Sequence, residues 1–183
     1  MSNTSCLQEY VYDEGGNLIP DVATGYRLTP RCLETRRQRR ILKAKGRAPM
    51  DELPSELRAY PNDSRRPDRM QYGIPVTTSQ LYKYATRRKL PVMSPFGTPS
   101  HRADFMTDLA MKVVADLREV CNARLEWVAP VSIDYDWMLA FYDNYNWYRE
   151  ELEDHEEQEV VEILQKELRT NERPKWYWDM LPF

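Results

Sequence analysis

Apolar positions recur most regularly between residues 105 and 125. Phe105, Leu109, Val113, Leu117, Val120 and Cys121 fall at helical spacing, with Met106, Val114 and Leu125 on the flank and Asp104, Asp108 and Asp116 on the other faces. That pattern predicts a long amphipathic helix with a stripe wide enough to bury in a core. Thr98-Pro99 supplies its start, Thr as cap and Pro in the first turn. Thr77-Thr78-Ser79 caps a shorter helix through Leu81, Tyr84, Ala85 and Arg88. Thr29-Pro30 opens another, with Gly46 just past its end. The apolar stripe of that helix, Leu33, Ile41 and Leu42, is thin, so it is expected to face solvent or a partner.

Beyond Pro130, Ser132 or Asp134 reads as the cap of a further helix carrying Trp137, Met138, Phe141, Tyr145, Tyr148 and Leu152. Val160, Val161, Ile163, Leu164 and Leu168 continue the period, so residues 134–169 are one helix or two, ended by Pro174. The tail, Trp176 to Phe183, is strongly aromatic and is expected to dock on its own domain or on a partner.

The first 76 residues look different. Glu9 to Tyr12 is a short β-prone run, Asp13 to Asn17 a turn, and Leu18-Ile19 a second apolar run, which together predict a hairpin. Pro49, Pro54, Pro61, Pro67 and Pro75 then break up residues 47–75, leaving at most one short helix over Pro54–Tyr60. The fold expected from these patterns is mainly α. A helical core over 77–183 is flanked by a basic, extended, Pro-rich region over 1–76 that contributes a short β-hairpin.

Composition adds little to this picture and charge adds a good deal. The 183 residues suit one compact domain, and five Trp with twelve Tyr supply large apolar area. Three scattered cysteines, Cys6, Cys32 and Cys121, argue against a disulfide framework and point to a reducing, intracellular setting, cytoplasmic or nuclear. No apolar stretch reaches the length of a membrane span, and the first ten residues do not read as a signal peptide. The net charge of −3 divides into +8 over residues 1–102 and −11 over 103–183. Most of the split lies in two segments. Residues 31–47 carry eight Arg/Lys against Glu34 alone, and residues 150–162 carry eight Asp/Glu.

These segments define the functional candidates. The leading expectation is a non-enzymatic protein–protein interaction module, self-associating or with another partner. Its docking surface would be acidic and aromatic, with Trp137, Phe141, Tyr142, Tyr145, Trp147, Tyr148, Trp176 and Trp178 as anchors. The alternative is phosphate-backbone binding to nucleic acid through Arg36, Arg37, Arg39, Arg40, Lys43 and Lys45, without sequence readout, since no zinc-finger, helix-turn-helix or RRM pattern accompanies them. A third reading is a small enzyme with an aromatic pocket holding Asp134 and Asp136, or His101 with Asp104 and Asp108. Helix capping explains most of those aspartates without a reaction. Glu151, His155 and Glu159 have i, i+4, i+8 spacing, but nothing completes a metal shell, and neither a metal nor a cofactor is expected. P-loop, dinucleotide-binding and serine-hydrolase signatures are missing from the sequence.

Overall fold

A computed structural model describes residues 9–180 apart from 63, 97 and 98. Cys6, the cap residue Thr98 and the last three residues lie outside that range.

The helix expected over 99–121 forms as α3 (Pro99–Cys121), and the shorter one as α2 (Thr78–Arg88). Thr77 caps α2 in a reciprocal box. Its Oγ accepts from Gln80 N at 3.2 Å, and its own N–H donates to Gln80 Oε1 at 2.8 Å. The N-terminal helix is α1 (Pro30–Ala44), capped by Thr29 and followed by Gly46 at a φ of 72°. Residues 54–60 yield only a 3₁₀ turn, Ser55–Leu57.

The fold is not mainly helical: 41% of the described residues are helix and 19% strand. The largest correction falls at residues 137–143, expected as helix. They form strand β5 (Trp137–Asp143) of a four-stranded antiparallel sheet ordered β4-β5-β3-β6, with β3 spanning Met70–Val76, β4 Glu126–Val128 and β6 Lys175–Trp178. Only after the short α4 (Trp147–Glu150) does the acidic helix α5 (Asp154–Leu168) begin. The segment read as a Pro-rich flank thus contributes β3, which lies between β5 and β6. Pro75 is tolerated there because β6 pairs only with Met70 to Gly73, so no ladder partner waits for the missing donor.

One face of the sheet packs on the helices. Met70, Ile74, Val76, Leu139, Phe141 and Trp176 share a buried cluster with Leu81 and Tyr84 of α2, Phe105, Leu109, Val113 and Leu117 of α3, and Val160, Leu164 and Leu168 of α5. A register shift between Tyr72 and Gly73 lets both Phe141 and Tyr142 meet Tyr72. Tyr72 and Tyr142 stack at 5.1 Å, and Trp176 joins Tyr72 at 5.2 Å. The aromatic residues expected to wrap a helix therefore sit on strands, staggered by a bulge.

The other face holds Met138, Ala140 and Tyr177, also buried. It is enclosed because the sheet curls. Beyond β4 the chain reaches the far end of β6, where Pro130 lies opposite Asp179. Val131 N donates to Trp178 O at 2.7 Å and Met180 N to Ala129 O at 3.0 Å. The two edge strands of the sheet so find each other. Burial, with Glu172 and Asp134 nearby, pushes the Tyr177 hydroxyl up to about 12.

Tyr12 pairs with Leu18 around the turn at Asp13–Gly16, and the chain folds back once more through β1 (Pro20–Asp21) and β2 (Gly25–Tyr26). Val11, Ile19 and Arg27 close a ring of three backbone hydrogen bonds, Val11 N to Arg27 O, Arg27 N to Ile19 O and Ile19 N to Val11 O. Among the described residues, no helix is long and apolar enough to cross a membrane.

Gly73 is where the sheet is tightest: a Cβ there would stand 2.1 Å from Leu139 O and 2.6 Å from Ala140 Cα. Gly73→Ala should cost about 3 kcal/mol or more in urea unfolding, because backbone must move. Gly16→Ala, with nothing within 4 Å of its Cβ and a φ of 79°, should cost only about 1 kcal/mol. Equal losses would contradict the packing described.

Candidate anion-binding groove

Helix α1 fully buries none of its residues, and Leu33 and Leu42 are exposed. A helix with so little apolar contact needs polar anchors. Arg40 supplies one: its guanidinium forms an ion pair with Asp136 and donates to Ile133 O at 3.2 Å. Arg102, on α3, supplies another. It donates to Val22 O at 2.9 Å and to Ala23 O, and lies over the Phe105 ring at 5.0 Å. One arginine reaches from the N-terminal segment to the loop before β5, and the other from the helical layer to the N-terminal segment.

Between these anchors lies a cavity of about 570 Å³. Arg36, Arg37, Arg40 and Arg102 line it, opposed by Asp134 and Asp136, so four guanidinium groups meet two carboxylates. Burial lowers the pKa of Arg40, and the nearby charge of Arg36 lowers it further. Burial does the same to Arg102. Guanidinium groups stay protonated under such shifts, so the positive charge remains. Asp136 is committed to Arg40. Arg36 and Arg37 join no ion pair among the described residues and are exposed.

Trp137 and Met106 also line this cavity, and they line a second one of about 430 Å³ beside it. The second is mostly apolar: Ala110, Met111, Val114 and Trp127 form its walls, with Arg118 also lining it. Trp127 stacks on Trp137 with centroids 4.6 Å apart and planes 24° from parallel. The Trp137 indole is held in place by donating Nε1–H to Thr78 Oγ1 at 3.1 Å. The two cavities meet at Trp137 and Met106, one as the cationic arm and the other as the aromatic arm of a candidate groove. In the loop from β4 to β5, Ser132 Oγ accepts from Asp134 N at 3.2 Å and from Tyr135 N at 3.1 Å. That turn precedes Asp136 and Trp137 at the groove.

Of the basic residues singled out in the sequence, Arg36, Arg37 and Arg40 meet in the groove, while Arg39 and Lys43 lie on the exposed surface of α1 and Lys45 is exposed just past its end. Of the aromatic anchors, Phe141, Tyr142 and Trp176 are buried. Tyr145 donates its hydroxyl to Pro67 O at 2.5 Å, Trp147 packs against Tyr60 and Arg58, and Arg47 lies over Trp178. Tyr148 stays exposed, and Trp137 is in the groove. His101 meets Ser94 O at 2.9 Å, and Asp108 pairs with Lys112 at 2.7 Å. Glu151 precedes α5, so it does not share a helix with His155 and Glu159. No group of three or more metal-ligating side chains occurs among the described residues. Arg102, Met106 and Trp127 are groove residues that sequence reasoning missed, because long-range packing brings them together.

The basic and acidic segments do not neutralise each other: among the described residues no ion pair joins 31–47 to 150–162. Compared with known proteins, the chain matches no family profile, no curated protein and no solved structure.

The Arg40–Asp136 pair is half-exposed, a class worth about 0.5 to 1 kcal/mol. Asp136→Asn should therefore speed tryptic cleavage within α1 about 2- to 5-fold while leaving the melting temperature of the core nearly unchanged. An unaltered cleavage rate would mean that the pair does not anchor α1.

Proposed function

We propose that this protein is a non-catalytic module that binds the phosphate backbone of nucleic acid through α1 and the groove beneath it. The observation that carries the proposal is the placement of Arg36 and Arg37. They line a cavity shared with two further arginines, and among the described residues no carboxylate pairs with them. Arg39, Lys43 and Lys45 extend the positive surface along α1. Planar guanidinium groups suit phosphate oxygens, and a solvated polyanion loses little on meeting cations that have no partner to give up. The groove's carboxylates form no acid–base pair with a histidine among the described residues: Asp136 is held by Arg40, and His101 is not among the groove's lining residues.

A protein-docking reading has less to stand on. The buried Phe141, Tyr142 and Trp176 cannot form a surface, and the exposed acids of α5, among them Glu156, Glu159 and Glu162, remain as its main support.

Backbone binding has a quantitative signature. For a single strand, the logarithm of the association constant falls against the logarithm of salt with a slope of about −0.7 per phosphate neutralised. The Arg36→Ala/Arg37→Ala double variant should therefore bind a mixed-sequence oligonucleotide more weakly and show a slope shallower by about 1.4. Binding indifferent to salt, or to both substitutions, would overturn the proposal.

A further inference from the structure

The cationic arm explains attraction to phosphate but leaves the aromatic arm without a role. Trp137 and Met106 border both arms, so a ligand reaching from one to the other passes over them. Met111, an apolar residue of the aromatic arm, is 63% exposed, and Trp127 backs Trp137. Arg118, which donates Nε–H to Leu125 O at 2.7 Å, lines the aromatic arm and adds a cation to it. The groove thus sets cations beside an aromatic surface. A single nucleic-acid strand sets phosphates beside exposed bases. A duplex hides its bases in the stack and can offer the groove only phosphates.

We infer that the groove takes single-stranded nucleic acid, with a base against Trp137 and Met111 in the aromatic arm and the adjoining phosphate on Arg36 and Arg37. This rests on the phosphate-binding proposal above and adds to it the strandedness of the ligand. Both arms have volumes within the range of pre-formed ligand sites. Stacking of a base on an aromatic side chain is tolerant of sequence, in keeping with the lack of any readout motif.

The test is fluorescence anisotropy with a 12-nucleotide single strand of mixed sequence and with the same sequence as a blunt duplex, at equal salt. The single strand should bind at least about fivefold tighter and quench tryptophan emission. Trp137→Leu should weaken single-strand binding about 5- to 150-fold, the range for loss of one base stack, and duplex binding much less. Trp137 also packs on the core, so Met111→Glu serves as the second variant. Its exposed side chain carries no fold, and a carboxylate in the aromatic arm should weaken single-strand binding alone. Equal affinity for strand and duplex, unaffected by either variant, overturns the inference and leaves phosphate binding standing. Failure of both nucleic acids to bind overturns the phosphate-binding proposal itself. Binding of an acidic aromatic peptide in preference to the oligonucleotide overturns the inference in favour of a protein ligand.

Discussion

The close approach of β3 to β5 at Gly73 governs much of what surrounds it. With no side chain at that position, the backbone of Leu139 and Ala140 comes nearer than any Cβ would allow. Next to this contact the register shifts, and Phe141 and Tyr142 both turn toward Tyr72. The cluster that results, with Trp176 added, gives the helices an aromatic floor. Tyr72 also donates its hydroxyl to Glu157 of α5 at 2.8 Å, so the same ring carries the sheet's contact to the acidic helix. At the other end of β5 the ladder places Trp137 opposite Val76, beside Thr78 at the start of α2. The groove inherits its aromatic wall from that register.

Polar groups inside the fold are satisfied in ways that hold non-consecutive segments together. Asn144 is fully buried. Its side chain accepts from Met70 N at 2.9 Å and donates to Leu57 O at 2.7 Å and Asp68 O at 3.0 Å. Asp143 accepts from Arg69 and from the backbone N–H groups of Tyr145 and Asn146. A buried amide with three partners is stabilising only because each is in place. These two residues fasten the proline-rich stretch to the end of β5, which is how a segment with few apolar residues of its own becomes part of a folded unit. On the helical side, Asp116 of α3 plays a similar part, accepting from Tyr84 and Arg88 of α2.

What could be read from the sequence follows from which elements bury one face and which bury two. Helix α3 shows a clean stripe because its far side is wet, and α1 and α2 announce themselves through Thr caps and a terminal Gly or basic residues. The sheet was illegible for the opposite reason. Residues 137–143 are buried on both faces, so Trp-Met-Leu-Ala-Phe-Tyr shows no alternation and satisfies a helical period equally well. Its shortness, its aromatic content and the turn formers on either side, Asp134 and Asp136 before it and Asn144 and Asn146 after it, were the usable signals. β3 was hidden by Pro75, which reads as a breaker until the short reach of β6 is known. The groove was legible in part. Its arginines stand out as a charge cluster, but Asp136 and Arg102 reach the N-terminal segment only through contacts that span 80 to 96 positions of the chain, Asp136 to Arg40 and Arg102 to Val22.

The charge split takes on a definite form in the folded chain. The basic segment and the acidic segment stay apart, and each keeps exposed charge facing solvent. The account depends on the basic one meeting an anion in a groove whose aromatic wall is already built. The most direct measurement is a two-dimensional ¹H–¹⁵N titration that follows the tryptophan indole and arginine Nε–H signals as a single-stranded oligonucleotide is added. The account predicts saturable shifts of Trp127, Trp137, Arg36 and Arg37 at a common affinity, with the indoles of Trp147 and Trp176 unmoved. Shifts confined to α5, or no shifts in the groove at saturating oligonucleotide, would contradict it.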